Sequence, residues 1–163
     1  MTSPAGDPAS TSALGGALRT QAGHLVELVH DLGRPAAVAE RAGLADPTAH
    51  ERDLLTRAAT ELDRVGGLLQ SWTTTEVETA ARVRALEPEL DRWDLLVDGH
   101  LVVDRPGPSR VDPHRRLVER ERLKELLNRA TAARSRELAR LARELERSTA
   151  TLATVSGHAR SGR

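Results

Sequence analysis

The stretch Leu95-Leu96-Val97-Asp98-Gly99-His100-Leu101-Val102-Val103 decides the fold of this chain. An Asp-Gly pair between two runs of leucine and valine is the strongest short-range signal for a β-hairpin. The segments on either side of it are long and polar, and their apolar residues recur at helical spacing. The sequence therefore predicts two long helices that fold back on each other, with a small β-hairpin over residues 94–104 at their far end.

The composition favours an all-α protein. Of the 163 residues, 39% are apolar but only 1% are aromatic, namely Trp72 and Trp93, and there is no Phe, Tyr or Cys. A globular enzyme of this size uses aromatic side chains to fill a thick core, whereas Leu, Val and Ala suit the thin seam between helices. We expect an elongated antiparallel helical hairpin, or a three-helix coiled-coil-like bundle, with the β-hairpin at its tip.

The chain length predicts a single domain. Residues 1–10 are rich in Pro, Gly, Ser and Thr, so they are expected to form a disordered tail before one helical-bundle domain over residues 11–157. The predicted elements are a helix over 11–32, a helix over 48–93, the β-hairpin over 94–104, a helix over 113–156 and a disordered tail over 158–163. Thr11 or Ser12 caps the first helix, and Gly33 with Pro35 is its expected stop.

The helix over 48–93 carries a heptad repeat. Its two seams are apolar except for one polar residue each: Leu55, Leu62, Leu69, Glu76, Val83 and Leu90 in one, and Ala58, Val65, Trp72, Thr79, Leu86 and Trp93 in the other. Pro88 falls at an outward position of this repeat. It is therefore expected to kink the last turns without ending the helix.

The helix over 113–156 begins with Asp112 as cap and Pro113 at the first helical position, and Gly157 is expected to end it. The spacing of its apolar residues changes around Arg134, where alternating steps of three and four residues become two consecutive steps of four. Such a stutter locally relaxes a supercoil. The seam residues are Leu123, Leu127, Ala130, Leu138, Leu141, Leu145, Leu152 and Val155.

The polar defects of the two seams coincide. If the long helices fold back at the hairpin, Glu76 lies opposite Thr131, within one turn of Arg134. We therefore predict a Glu76–Arg134 contact, with Thr79 and Asn128 nearby. A buried polar layer of this kind serves best as a register device, and a hydrophilic pocket is the alternative.

The first helix is about half as long as the other two, so it covers only the part of the bundle near the chain termini. The flanks of the upper seam are then exposed to solvent. This seam consists of Val83, Leu86, Leu90 and Trp93, which face Leu117, Leu123 and Leu127. Such a seam invites a second copy or another helical partner, so a homo-oligomer or a heterodimer is expected.

The apolar tip is the candidate interaction site. An isolated two-stranded hairpin is marginal in water, so it needs either the helices or a partner. We expect a contact patch formed by Trp93, Leu95, Val97, Leu101 and Val103. The alternative is that the tip packs onto Trp93 and only caps the bundle.

The net charge of zero hides an asymmetry. Residues 46–98 carry twelve acidic and six basic side chains, whereas residues 114–163 carry six acidic and thirteen basic ones. The two helices are expected to attract each other as antiparallel neighbours. Nucleic-acid binding by the basic helix is the alternative, but interleaved aromatic residues for base stacking are missing, so no nucleic-acid partner is expected.

No motif in the sequence points to catalysis, a metal or a cofactor. No two of the six histidines lie three or four residues apart, and the aspartates around the hairpin do not fit a calcium loop. The Gly15-Gly16 pair follows no strand, so it indicates close helix contact or simple sequence drift instead of a phosphate cradle. We expect a non-enzymatic protein without metal or cofactor.

No apolar run is long enough to span a bilayer, and the first ten residues have no basic and apolar signal-peptide regions, so a cytoplasmic location is expected, with leaderless secretion as the alternative. Lys124 is the only lysine among 24 basic residues, and alanine is abundant. This bias indicates a GC-rich, actinobacterial genome.

The layout of residues 48–155 resembles the Trp-x-Gly helical-hairpin proteins of actinobacterial type VII secretion. The resemblance implies an all-α dimer, export by that system and partner binding through the hairpin. The motifs themselves differ, because Trp72 is followed by Thr73 and Thr74, and Trp93 is followed by Asp94 and Leu95. Without Tyr the Tyr-x-x-x-Asp/Glu export signal is missing, so export would depend on a partner's signal.

Three functions are weighed on these grounds. The first is a helical scaffold or protein-interaction protein, and the resemblance implies an association with type VII secretion. The second is a membrane-active protein that inserts its apolar tip into lipid, at a cost from Asp94, Asp98, His100 and Asp104. The third is nucleic-acid binding through the basic third helix, which would weaken steeply with salt.

Overall fold

The computed structural model describes residues 7–46 and 48–161. It confirms an all-α fold with a minor β-hairpin. The elements are α1 (Pro8–Arg41), α2 (Ala49–Arg84), α3 (Glu87–Arg92), β1 (Leu95–Asp98), β2 (Leu101–Asp104) and α4 (Pro113–Ser161).

The chain divides into two compact units. The hairpin unit is Thr74–Ala139, and the terminal unit combines the chain up to Thr73 with the chain from Arg140 onward. Each unit has its own apolar cluster. The single domain expected over residues 11–157 stays a prediction.

The first helix is longer at both ends than expected. It begins at Pro8 because the Asp7 carboxylate accepts hydrogen bonds from the backbone N–H groups of Ala9 (3.2 Å) and Ser10 (3.3 Å). Thr11 and Ser12 are therefore not its caps, and the expected tail over 1–10 is wrong for residues 8–10, which are helical. Residues 1–6 of that expected tail lie outside the described residues.

The expected stop at Gly33 and Pro35 is wrong. The helix continues to Arg41, and Ala36, directly after Pro35, is buried. Packing of this turn therefore outweighs the single backbone hydrogen bond that a proline removes. The helix ends where Gly43 adopts a φ of +69°, a left-handed conformation that glycine takes without strain.

The second predicted helix is interrupted near its end. Its α2 part stops at Arg84, and a six-residue helix, α3, begins at Glu87 with Pro88 in its first turn. Proline clashes with the carbonyl four residues before it, which is here the carbonyl of Arg84. Pro88 therefore ends one helix and begins another, where a kink within one helix was expected.

The last helix begins as predicted and ends later than predicted. The Asp112 carboxylate accepts a hydrogen bond from the Arg115 N–H (2.8 Å), and Pro113 is the first helical residue. The helix passes through Gly157 to Ser161, so the expected tail is wrong for residues 158–161, and residues 162–163 lie outside the described part. A single helical glycine costs only about 1 kcal/mol, and Arg160 in the last turn favours the helix C-terminus.

The β-hairpin lies where the sequence predicts it. Its strands pair antiparallel, with Leu95 opposite Asp104 and Asp98 opposite Leu101. Gly99 and His100 form the two-residue loop, and Gly99 has a φ of +62°. Glycine is therefore the first loop residue, the place where a type II′ hairpin turn requires it.

Candidate protein-binding site

The strand register divides the predicted contact patch between two faces of the hairpin. Directly paired residues share a face, and faces alternate along each strand. The inner face therefore consists of Leu95, Val97, Val102 and Asp104, and the outer face of Leu96, Asp98, Leu101 and Val103. A single patch of Trp93, Leu95, Val97, Leu101 and Val103 is wrong, because it mixes the two faces.

The inner face closes the core of the hairpin unit. Leu95 is 0% exposed, and it forms one buried cluster with Val102 and with helical Leu90, Leu123 and Leu127. Trp93 and Val97 pack against that cluster. The alternative prediction, in which the tip packs on the bundle, is therefore confirmed for this face.

The outer face carries three aliphatic side chains. Leu101 is 48% exposed, and Leu96 and Val103 are half-buried. Sequence reasoning missed Leu96, because Leu95, Leu96 and Val97 are three apolar residues in a row without polar alternation. A shift of one residue exchanges the two faces of a strand, and only the packing on the helices decides which side is buried.

The predicted facing of the upper seam holds for most of its residues. Val83, Leu86 and Trp93 pack on the cluster that contains Leu123 and Leu127. Leu117 is an exception, because it is 48% exposed. The core-facing positions at this end of α4 are taken by Arg116 and Arg120, which both pair with Asp104 at 3.5 Å.

Further ion pairs hold the hairpin and α3 in place. Arg105, which follows β2, pairs with Asp91 of α3, and its guanidinium also reaches the Leu95 carbonyl oxygen at 3.5 Å. Arg122 of α4 pairs with Glu89 of α3 at 2.5 Å, and this hydrogen bond is the main cause that raises the pKa of Arg122. Exposed pairs contribute little each, but together they orient the elements.

A second set of contacts holds the entry to β1. Asp94, at the end of α3, has a φ of +52°, a left-handed conformation that Asp tolerates better than most residues. Its carbonyl accepts from the Arg105 N–H at 2.8 Å, and its carboxylate accepts from the Ser109 hydroxyl at 2.5 Å. The Arg92 guanidinium lies 5.4 Å from the centre of the Trp93 ring. The hairpin is therefore fixed at its base by polar contacts.

A groove is lined by β1, α3 and the end of α2. It has a volume of about 260 Å³, and its apolar lining comes from Val83, Leu90, Leu95, Leu96 and Val97. Glu87, Asp91 and Arg105 complete the lining. We call this feature the β1 groove.

The predicted polar contact between the seams is present. The Arg134 Nε donates to one oxygen of Glu76, and its Nη2 donates to the other at 3.3 Å. The side chains are 32% and 15% exposed. The Glu76–Arg134 contact is thus confirmed, whereas its role in setting the register, and the proximity of Thr79 and Asn128, stay predictions.

Sequence reasoning missed a larger polar network in the terminal unit. Arg64 of α2 donates to Glu61 (2.6 Å) and to Glu144 of α4 (2.6 Å), and it also contacts the buried Ser148 hydroxyl. The hydrogen bond from Arg64 is the main cause that lowers the pKa of Glu61. Only the Glu61–Arg64 spacing was visible in the sequence, since Glu144 follows eighty residues later.

The terminal unit also contains a close helix approach. A Cβ atom on Gly15 would lie 2.9 Å from the Gly66 carbonyl oxygen, so α1 and α2 almost touch there. Of the two interpretations of the Gly15-Gly16 pair, close helix contact holds at Gly15, whereas Gly16 has open space around it. Beside this contact lies an open groove of about 500 Å³, lined mainly by small and aliphatic residues.

Within the described part of the chain, no three His, Asp or Glu side chains gather into a group that could hold a metal ion. In the same residues no helix is long and apolar enough to cross a bilayer. Comparison with known protein families, curated proteins and solved structures finds no match for this chain. The resemblance to type VII secretion proteins therefore stays a prediction.

Proposed function

We propose that this chain is a non-enzymatic protein-interaction protein that binds another protein through the outer face of its β-hairpin. The observation that carries the proposal is the contrast between the two faces. Leu95 on the inner face has no exposed surface, whereas Leu101 on the outer face is 48% exposed. The hairpin is thus already anchored by its own core before any partner arrives.

This anchoring favours binding. A free two-stranded hairpin would have to be ordered by its partner, and that ordering costs affinity. Here the buried cluster and the ion pairs of Asp104 and Arg105 order the strands in advance. A small apolar patch on a rigid support is the arrangement that concentrates binding energy in a few residues.

The two alternative functions receive less support. Insertion into lipid would bring the Asp98 carboxylate, which lies beside Leu101 on the outer face, into the apolar phase at a high cost. Nucleic-acid binding by α4 is less favoured, because Arg116, Arg120, Arg122 and Arg134 are engaged with carboxylates and interleaved aromatic residues for base stacking are missing from the sequence. A cytoplasmic location and an association with type VII secretion remain hypotheses that rest on the sequence.

A site-specific photocrosslinker tests the proposal, with Leu117 as a matched control. Leu101 and Leu117 are both leucines of the hairpin unit and both 48% exposed. We expect the crosslinker at position 101, and not at position 117, to capture one defined protein in an extract of source cells. The captured protein is then purified, and its affinity is measured against the Leu101→Asp and Leu117→Asp variants.

We expect Leu101→Asp to weaken binding about fivefold to thirtyfold, because an interface residue of this kind contributes on the order of 1–2 kcal/mol. Leu117→Asp should leave the affinity unchanged. Equal effects of the two substitutions, or capture from position 117 alone, would contradict the proposal. Circular dichroism of both variants checks that the fold is retained.

A further inference from the structure

The Asp98-Gly99 step at the hairpin loop places an unengaged carboxyl group beside an unhindered backbone nitrogen. Both residues are exposed, and Gly99 has open space where a side chain would lie. Among the residues that the structure describes, no hydrogen bond or ion pair holds the Asp98 carboxylate or the Gly99 N–H. The side-chain carboxyl carbon of an aspartate and the next backbone nitrogen are one bond short of a five-membered ring, so their reaction is intramolecular and strongly favoured by proximity.

This step differs from every other aspartate step of the sequence. Of the ten aspartates, three precede proline, which has no backbone N–H, and six precede leucine or arginine, whose side chains crowd the nitrogen. Only Asp98 precedes glycine. The sequence therefore offers one position at which the ring closes without steric hindrance, and the fold places that position at an exposed loop.

The end of the hairpin can open without disturbing the core of the unit. Leu95 and Val102 anchor the inner face, whereas Asp98 and Leu101, the pair next to the loop, are both exposed. Ring closure requires rotation about the ψ angle of Asp98, because an extended strand holds the carboxyl carbon away from the next nitrogen. This rotation breaks only the hydrogen bonds of the Asp98–Leu101 pair, a local opening that leaves the buried cluster intact.

We propose that Asp98 is a modification site, at which isoaspartate forms in the folded chain. The Gly99 nitrogen bonds to the side-chain carboxyl carbon of Asp98 and gives up its proton, and the carboxyl OH takes this proton and leaves as water. Water then adds to one carbonyl of the resulting cyclic imide and breaks its bond to the nitrogen. Opening at the backbone carbonyl leaves the chain linked through the side chain, as isoaspartate, and opening at the other carbonyl restores aspartate. The reaction needs only water, and the final mass of the chain is unchanged.

The modification changes the outer face of the hairpin. An isoaspartate linkage adds one carbon atom to the backbone at the end of β1, so the two-residue loop no longer holds position 98 opposite Leu101. The hydrogen bonds of this pair are then lost, and the Leu101 side chain is displaced from its place beside Leu96 and Val103. This consequence rests on the proposed function, because Leu101 belongs to the proposed binding face, whereas the chemical step at Asp98 does not.

Peptide mapping of the full chain tests the proposal after incubation in mildly acidic buffer, because a protonated carboxyl group loses water more readily than a carboxylate. Trypsin does not cleave before proline, so the peptide 93–110 stays whole and contains Asp94, Asp98 and Asp104. We expect a second form of this peptide, with the same mass and a different retention time, that grows during incubation. Electron-transfer fragmentation should place isoaspartate at Asp98, and Asp94 and Asp104 are internal controls. Absence of the second form, or isoaspartate at the control positions alone, would overturn the proposal.

Two substitutions of Asp98 test the ring. Asp98→Glu keeps the charge and the following glycine but requires a six-membered ring, so we expect the second peptide form to be lost. Asp98→Asn closes the same five-membered ring with ammonia as the leaving group, so the chain should gain the mass difference between an amide and a carboxyl group. Circular dichroism checks that both variants keep the fold. A second form that appears as fast in Asp98→Glu as in the original chain would place the reaction elsewhere and contradict the assignment.

Incubation in urea separates the folded chain from the unfolded one. Isoaspartate that forms only in urea would show that the hairpin prevents ring closure, and it would overturn the claim for the folded chain. Binding of the captured partner to the modified chain is a separate measurement, and we expect a loss similar to that of Leu101→Asp. If isoaspartate forms at Asp98 but neither the modification nor Leu101→Asp weakens binding, the proposed function fails and the modification site stands. If Leu101→Asp weakens binding and no isoaspartate forms, only the modification site fails.

Discussion

The two units of this protein build their cores in different ways. The hairpin unit buries large aliphatic side chains completely, with Leu95 and Leu123 at 0% exposure. The terminal unit instead brings helices close together at Gly15 and Gly66 and places a charged network around Arg64 among its helices. The hairpin unit contains fewer long helices than the terminal unit, yet its apolar core residues are buried more completely. This core supports the proposed binding face.

The largest expected effect comes from emptying that core. Leu123→Ala should lower the free energy of unfolding by about 4 kcal/mol, because a fully buried leucine leaves a cavity that its rigid surroundings cannot fill. Leu141→Ala, in the cluster of the terminal unit and 7% exposed, should cost about 2–3 kcal/mol. Urea unfolding followed by circular dichroism measures both. A larger loss for Leu141→Ala would reverse the comparison between the cores.

The close approach in the terminal unit is tested by adding a methyl group. A Cβ atom on Gly66 would lie 2.7 Å from the Gly15 carbonyl oxygen, so Gly66→Ala must push α1 and α2 apart. We expect a loss of about 2 kcal/mol, although alanine is the better helix former. Gly67→Ala is the control, because Gly67 has open space around it, and it should raise stability by up to about 1 kcal/mol. Thermal melting of both variants should give shifts of opposite sign, and shifts of equal sign would contradict the close contact.

The polar pair of the hairpin unit is expected to specify register more than stability. Arg134→Leu alone should cost about 1–2 kcal/mol, because it leaves the largely buried Glu76 carboxylate without this guanidinium. The double change of Glu76 and Arg134 to Leu should keep or raise the stability, since an apolar pair replaces an ionic one. Chemical denaturation of the two variants decides between the interpretations. A loss of several kcal/mol in the double variant would mean that the pair does more than set the register.

The smallest expected effect is a pH dependence of the terminal unit. The pKa of Glu61 is lowered by its hydrogen bond from Arg64, and the pKa of Asp46 is lowered mainly by the backbone N–H of Thr48. A lowered folded-state pKa stabilises the fold above the ordinary pKa of the carboxyl group, and this stabilisation is lost as the pH falls through the lowered value. The protection of the α2 amides around Glu61, measured as exchange rates relative to the intrinsic rate at each pH, should therefore fall below about pH 4.5, the ordinary pKa of a Glu carboxyl.

Glu61→Gln is the matching variant for this effect. The glutamine side chain has no carboxyl group that can ionise, so the stability of this variant should depend less on pH over the same range. The pH dependence that comes from Asp46 remains. An identical pH profile for the variant and the original chain would show that the Arg64 hydrogen bond does not stabilise the ionised form of Glu61.

Several parts of the fold could be predicted because their signals are local. Asp98-Gly99 marks the hairpin, although Gly99 is the first loop residue and not the second, and Asp112-Pro113 marks the start of α4. The Glu76–Arg134 contact followed from one geometric assumption, the antiparallel pairing of two heptad seams. In each case a few neighbouring residues, or one regular repeat, carry the information.

Other parts could not be predicted because competing packing decides them. Gly33 and Gly157 looked like stops, yet both lie inside helices. The network of Arg64 and the contact of Gly66 depend on residues that are far apart in the chain, and their sequence neighbourhood is unremarkable. Local propensity is weak, and tertiary contacts readily override it.

The sequence by itself determined the order of helices and strands and the place of the hairpin between two heptad-patterned helices, because cap, turn and periodicity signals act over a few residues. Only the tertiary structure decided which side of the hairpin is buried. Side chains of a strand alternate with a period of two, so in a run of consecutive apolar residues both faces are equally acceptable until one packs on the helices. That choice buries Leu95 and leaves Leu101 on the outer face.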